Sequence, residues 1–223
     1  MANKLGIATI GQSPRADIAA LFAAFVPKGT EVCLRGCMDG LSDDDIARRP
    51  PESGDDTLYT RLRGDVDVKL SKRHVIERAP GVIKALRDDG CQAIVFACTG
   101  DFPPMPGDEN VLFPSRVLNG LSQALLPRGR LGLLIPLPEQ AAKLSAKWER
   151  TGLSIQTEAL RPSAGLDEAR AAAARLAAGK PDLVVMDCMG YKPDMKAAVQ
   201  SAVPVPTLLA ITATGRVLAE MLE

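Results

Sequence analysis

Ala93-Ile94-Val95-Phe96-Ala97-Cys98-Thr99-Gly100 and Leu183-Val184-Val185-Met186-Asp187-Cys188-Met189-Gly190 are the stretches that decide the fold. Each is an apolar run of strand length, the pattern of a strand buried on both faces of a parallel sheet. Each follows a helical segment and a tight turn, Gly90-Cys91-Gln92 in one case and Lys180-Pro181-Asp182 in the other, and each ends in Cys-x-Gly. The two cysteines lie 90 residues apart, roughly the size of one small lobe. βα units resemble one another generically, which accounts for the strands. It does not account for a cysteine at the same carboxyl-terminal position in both, where open α/β sheets bind their ligands.

Outward from these stretches, strand-length runs alternate with helical patterns along almost the whole chain. Strands are expected at 4–10, 31–34, 93–97, 111–113, 130–135, 153–160, 183–187 and 204–208. Helices are expected at 17–25, 74–89, 114–125, 138–152, 166–178, 194–201 and 212–222, with stops at Pro27, Gly90 and Gly179-Lys180-Pro181. Residues 58–62 and 66–70 alternate with period two around Arg63-Gly64-Asp65, a hairpin signal. No stretch reads as a linker. The alternation implies an α/β fold of mostly parallel sheets flanked by helices.

The 223 residues and 23.6 kDa suit one unit or two lobes of roughly 100 residues each. Lys+Arg and Asp+Glu both number 27, a balance that argues against a nucleic-acid partner, which normally meets a basic face. No apolar run approaches the ~20 residues that span a bilayer, so no membrane partner is expected. Met1-Ala2-Asn3-Lys4 leads into a strand rather than a signal peptide, which makes the cytoplasm the expected location. The five cysteines (Cys33, Cys37, Cys91, Cys98, Cys188) are then expected as free thiols rather than as a disulfide framework. His74 is the one histidine, so a metal site with several His ligands is excluded and a Cys–His or Ser–His pair has one candidate base.

Cys98 and Cys188 lead the chemical candidates. A thiol at a strand end followed by Gly sits near backbone N–H groups, which favour a thiolate and hold anions. Two such thiols across a cleft suit proton transfer beside a carboxylate, one taking the proton and the other supplying one on the opposite face. The bland alternative is that each cysteine is a small buried hydrophobe.

Gln12-Ser13-Pro14-Arg15, after Gly11, falls between the first strand and first helix, with Ser13 expected as N-cap and Pro14 as the first helical residue. It is either an anion site that uses amides, the Ser13 hydroxyl and Arg15, or an ordinary capped helix with a solvated arginine. Ser71-Lys72-Arg73-His74, with Ser71 expected as cap and Glu77 further on, sets basic residues at a helix start, against the macrodipole; a nearby anion would relieve the conflict, and a solvated face is the other reading. Ser115-Arg116 is a similar carboxylate-binding candidate, and Tyr191 offers a hydroxyl or a cleft wall.

Cys33-x3-Cys37 lacks the second ligand pair that structural zinc wants, and Ser42 before Asp43-Asp44-Asp45 reads as the acidic first turn of a short helix, so no metal is expected. No P-loop, dinucleotide glycine fingerprint or pyridoxal-phosphate lysine stands out, and no cofactor is expected.

Several stretches together resemble the AroM family: residues 10–18 (IGQSPRADI), 96–100 (FACTG) with Phe102-Pro103, 113–116 (FPSR), 186–191 (MDCMGY), 52–57 (ESGDDT) and Lys147-Trp148. The family is similar to the aspartate/glutamate racemase superfamily. That resemblance implies two pseudo-symmetric α/β lobes, expected here at 1–115 plus 209–223 and at 116–208, with one catalytic cysteine from each facing a cleft. Cys98 and Cys188 fall at those positions; Thr99 and the Gly100 amide would line one half-site, and Met189 and the Gly190 amide the other. The residues around Ser13 would match the first-strand loop that contacts substrate. The chain departs from the superfamily in carrying Cys-Thr-Gly-Asp and Cys-Met-Gly-Tyr, which leaves the second half-site without a hydroxyl neighbour. The implied activity is a cofactor-independent racemase or isomerase of a small carboxylate, in a homodimer. A decarboxylase or lyase using one thiol, or a small-acid binding protein, are the alternatives.

Overall fold

A computed structural model of the chain describes residues 3–150 and 152–223. Met1 and Ala2, where the leader reading begins, lie outside the described residues. The chain divides into two units, one made of residues up to Pro114 with Gly215–Glu223 and the other of Ser115–Thr214.

The first unit holds a parallel sheet of four strands, β1 (Lys4–Thr9), β2 (Glu31–Gly36), β5 (Ala93–Phe96) and β6 (Val111–Leu112), in the order β2-β1-β5-β6. β3 (Thr57–Arg61) and β4 (Asp67–Ser71) form the expected antiparallel hairpin, Thr57 opposite Ser71 and Arg61 opposite Asp67. Its turn closes with the Leu62 amide on the Val66 carbonyl at 2.9 Å, and Gly64 takes the left-handed φ of 72° that the turn requires. The helices are α1 (Ala16–Ala23), the short α2 (Asp43–Ala47) and α3 (Lys72–Asp88). α2 starts where the acidic triplet points, with Ser42 and Asp45 in a reciprocal capping box. Buried His74, Val75, Ala79, Ile83 and Leu86 fall at helical spacing on one face of α3 and meet the core. Phe96, Phe102 and Phe113 pack together there, with Phe96 edge-on to Phe102 at 4.9 Å.

The second unit repeats the plan. β7 (Gly129–Ile135), β8 (Leu153–Ala159), β9 (Leu183–Met186) and β10 (Thr207–Leu209) lie parallel in the order β10-β9-β7-β8. Its helices are α4 (Pro114–Leu125), α5 (Ala141–Trp148), α6 (Leu166–Ala177) and α7 (Pro193–Ala202), and α8 (Ala210–Leu222) begins in this unit and ends in the first. The alanine-rich α6 buries Ala169, Ala172, Ala173 and Leu176, an i, i+3, i+4, i+7 stripe of small residues. In both units the strands expected at 93–97 and 183–187 are fully buried and central to their sheets.

Two expectations about helices need correction. The segment 138–152 is not one helix: Pro138–Gln140 is a 3-10 turn, α5 stops at Trp148, and Glu149 turns extended. Ser13 is not the cap of α1 and Pro14 is not its first residue. α1 begins at Ala16 with Arg15 at the N-cap and no side-chain cap, and the Ser13–Pro14 peptide is cis. The physical reason is a stronger partner: Asp39 takes both the Ser13 amide and its hydroxyl at 2.7 Å.

Candidate active site

Cys98 and Cys188 occupy the same place in their own units. The last ladder bond before each cysteine runs to a neighbouring strand, from the Ala97 amide to the Ala8 carbonyl and from the Asp187 amide to the Leu134 carbonyl, both at 2.8 Å. The chain then leaves the sheet, and the amide two residues on turns back onto the sulfur. Gly100 N–H donates to Cys98 Sγ at 3.3 Å, and Gly190 N–H donates to Cys188 Sγ at 3.5 Å. An N–H aimed at sulfur stabilises the thiolate form, so each cysteine is built into a small anion-stabilising turn. A Cβ on Gly190 would lie 2.9 Å from Pro162 Cβ, and one on Gly100 would lie 3.1 Å from the Phe102 ring. Glycine is what lets both turns close this tightly.

In the first unit, Thr99 is buried beside Cys98, and the segment after β1 runs from the strand adjacent to β5. That segment is fixed by three anchors. Asp39 accepts from the Ser13 amide, the Ser13 hydroxyl and the Gly36 amide, each at 2.7 Å. Buried Gln12 bridges outward, its Nε2 donating to the Leu41 carbonyl at 3.0 Å and its Oε1 accepting from the Arg63 amide at 3.3 Å. Arg63 Nε donates to the Ser13 carbonyl at 2.7 Å, while Arg78 holds the Asp39 turn through the carbonyls of Cys37 and Asp39. Pro14 is exposed, and Arg15 clasps Asp17 at 2.8 Å. Asp39 and Arg78 escaped the sequence reading, because nothing near them in the chain announces their partners.

In the second unit, the residue before Cys188 sits in a buried ion pair. Lys147 Nζ meets Asp187 Oδ2 at 2.6 Å and Trp148 Nε1 donates to the same oxygen at 3.0 Å. The Lys147 side chain is 7% exposed and that of Asp187 not at all, so removing one partner would strand a charge at a cost of about 3–5 kcal/mol. The sequence reading passed over Asp187, although a carboxylate closing an otherwise apolar strand directly before Cys188 is the signal that could have found it. Tyr191 is fully buried and its hydroxyl donates to the Leu160 carbonyl at 2.6 Å, so it braces the turn. Met189 is buried, Ser115 is buried in the first turn of α4, and Arg116 is exposed.

The basic start of α3 has found its anions within the chain. Ser71 accepts from the His74 amide as expected of a cap, and Asp56 accepts the Arg73 amide at 3.0 Å while the Arg73 guanidinium reaches Asp56 and Glu52. Lys72 lies over the Phe102 ring at 5.5 Å. Burial, with Arg49 and Arg78 adding to it, lowers the His74 pKa. Cys37 is buried beside Cys98 and its thiol is pushed up to about 12 by that burial, against the pull of Arg78. It stays protonated. Cys33 and Cys37 stand four residues apart along an extended segment, some 13 Å, too far to share an ion. Among the described residues no three His, Cys, Asp or Glu side chains gather as metal ligands, and no described helix is long and apolar enough to cross a membrane.

Three solved structures place the fold. Arylmalonate decarboxylase superposes with a TM-score of 0.64 at 13% identity, over 99% of this chain and 92% of its own. Glutamate racemase from Francisella tularensis, in complex with D-glutamate, gives 0.58 at 14%, over 99% and 81%. The maleate cis-trans isomerase of Nocardia farcinica, a cysteine-to-serine mutant with a covalently bound succinylcysteine intermediate, gives 0.62 at 17%, over 100% and 93%. At these identities the likeness carries the aspartate/glutamate racemase fold and no residue's role. No curated protein matches in sequence. The model of the AroM protein family matches residues 5–222, and the chain belongs to that family.

Proposed function

We propose that this protein is a cofactor-independent racemase or isomerase of a small carboxylate, with Cys98 and Cys188 as its acid–base pair from the two sides of one substrate. The observation that carries this reading is the repeated turn in which a glycine amide meets the cysteine sulfur, once in each unit. The thiolate of one cysteine removes the proton on the carbon next to the carboxylate, and the bonding electrons move into an enolate-like carboxylate. The thiol of the other then gives its proton to the opposite face. Proton and charge balance at every stage, and each cysteine ends in the form the other began in, ready for the reverse reaction.

The anion is assigned to the Thr99 hydroxyl, Ser115-Arg116 and the Gly100 and Gly190 amides, which it would share with the cysteine sulfurs, with Met189 and Tyr191 walling the second half; the Gln12–Arg15 segment, whose side-chain donors are held by Leu41, Asp39 and Asp17, shapes the first half. Preorganised N–H donors stabilise an enolate most where water is excluded. The fold's neighbours, a glutamate racemase, a maleate isomerase and an arylmalonate decarboxylase, support acid–base work at such a carbon. The contrast of Thr99 with Met189 favours one second reading, a decarboxylase in which one thiol protonates the product and the other is dispensable.

The test incubates the protein in D2O with a panel of chiral amino, hydroxy and dicarboxylic acids and follows exchange of the proton beside the carboxylate by NMR. Cys98→Ala and Cys188→Ala run alongside. Exchange with one class, made one-sided or lost in both variants, is the expected result. Turnover that survives one substitution supports the decarboxylase. No exchange, with both thiols slow to alkylate at neutral pH, overturns catalysis and leaves a binding protein.

A further inference from the structure

Cys33 and Cys91 lie at the opposite end of the first unit's sheet from Cys98, near the starts of β2 and β5. Cys33 is the register partner of Gly6 on β1, and Gly6 is in turn the partner of Ile94 on β5. Cys91 comes off the end of α3, its amide held by the Leu86 carbonyl at 3.1 Å, and crosses above Gly6. A Cβ on Gly6 would lie 3.1 Å from Cys91 Cβ and 3.2 Å from its Sγ. Cys91 therefore occupies the space that the missing Gly6 side chain leaves. Register partners on adjacent parallel strands point to one face about 4.8 Å apart, so Cys33 reaches the same space from the next strand. Both thiols pack half-buried on the same hydrophobic cluster. Cys33 Sγ also meets Glu31 Oε1 at 3.7 Å, and Lys4 pairs with Glu31 at 3.1 Å.

We propose that Cys33 and Cys91 form a dithiol site, independent of the catalytic cysteines, that exchanges with low-molecular-weight disulfides and closes into an intrachain disulfide. Two thiols fall short of the four ligands of structural zinc, and their mutual contact suits sulfur–sulfur bonding. Cys91 fills the space over Gly6 while Cys33 stands on the edge strand β2, so Cys33 enters first. Its thiolate attacks one sulfur of the small disulfide; that S–S bond breaks and one small thiolate leaves. Cys91 then attacks the Cys33 sulfur of the mixed disulfide, and the second small thiolate leaves. The two protein thiols are oxidised, one small disulfide is reduced to two thiols, and the two protein protons end on them.

The experiment equilibrates the full chain with glutathione and its disulfide at mildly alkaline pH, blocks free thiols with iodoacetamide, and maps peptides by mass. The expected result is a loss of two hydrogen atoms, with the peptides of Cys33 and Cys91 joined. Cys91→Ser should stop at a stable glutathione adduct on Cys33, and Cys33→Ser should give neither product. In parallel, the reduced protein should retain one equivalent of phenylarsine oxide, a reagent that needs two adjacent thiols. The Cys98→Ala and Cys188→Ala variants should retain it too, and Cys33→Ser should not. A bridge that joins any other cysteine, an adduct carried first by Cys91, or failure to retain the arsenical overturns the proposal. None of these readouts depends on the reaction assigned to Cys98 and Cys188.

Discussion

Gly190 and Asp39 show how single residues shape the candidate site through the backbone they position. A Cβ on Gly190 would come within 2.9 Å of Pro162, so Gly190→Ala must shift the turn and draw its amide away from Cys188 Sγ. A hydrogen bond that favours the thiolate is worth about 1.5 kcal/mol, and the rise in nucleophilicity that accompanies its loss offsets about half, so iodoacetamide should alkylate Cys188 about threefold more slowly in the variant. Peptide mapping of the alkylated protein reads this directly. Asp39→Ala removes the acceptor of three hydrogen bonds that pin Ser13 and Gly36. Its side chain keeps 31% of its exposure, which tempers the loss to about 2 kcal/mol in urea unfolding. Proton exchange on the substrate should fall more steeply than stability, because the segment after β1 loses its position. The cysteine turns were legible beforehand because the same short pattern occurs twice. Asp39 was not, since its role exists only once β1 and β2 lie side by side.

At the scale of elements, the N-terminus of α3 is set by its own hairpin. Burial works to raise the Asp56 pKa, but the Arg73 amide, the Ser71 hydroxyl and the Glu52 amide outweigh it and lower the value below 3.8. The unfolded chain then binds the proton more readily than the folded one. Asp56 therefore adds stability above its ordinary pKa, and that contribution is lost as pH falls through the lowered value. Asp56→Asn should cost about 1–2 kcal/mol at neutral pH and flatten the decline in stability below pH 3.8, as denaturant titrations across acid pH would record. If the decline is equally steep in both proteins, another carboxylate sets it. Ser71 as a cap was readable from the chain. The carboxylates that answer Arg73 were not, because Glu52 and Asp56 arrive from the turn before β3.

At the scale of the whole molecule, the first unit is closed by the chain's last residues. Asn3 Nδ2 donates to the Leu222 carbonyl at 2.6 Å, Gly215 lies against the Phe25 ring, and Arg216 stacks on that ring at 5.5 Å. Gly215–Glu223 thus ties β1 and α1 to the far end of the sequence. Deleting residues 215–223 should strip amide-exchange protection from β1 and α1 while leaving β7 and β9 protected, as hydrogen-exchange mass spectrometry would resolve. Equal loss in both units would show that they unfold as one.

Local signals carried the parts of this protein that the sequence by itself determined. Apolar runs, helical periodicity and turn residues were enough for the α/β alternation, the hairpin around Gly64, the caps at Ser42 and Ser71, and the two Cys-x-Gly strands. Those features depend on residues a few positions apart, so they are written contiguously. The tertiary structure alone decided that Asp39 holds Ser13, that Asp56 answers α3, that Lys147 meets Asp187, and that Cys33 and Cys91 meet over Gly6. Each depends on which strands and helices become neighbours, and burial makes such contacts strong only after distant segments have come together.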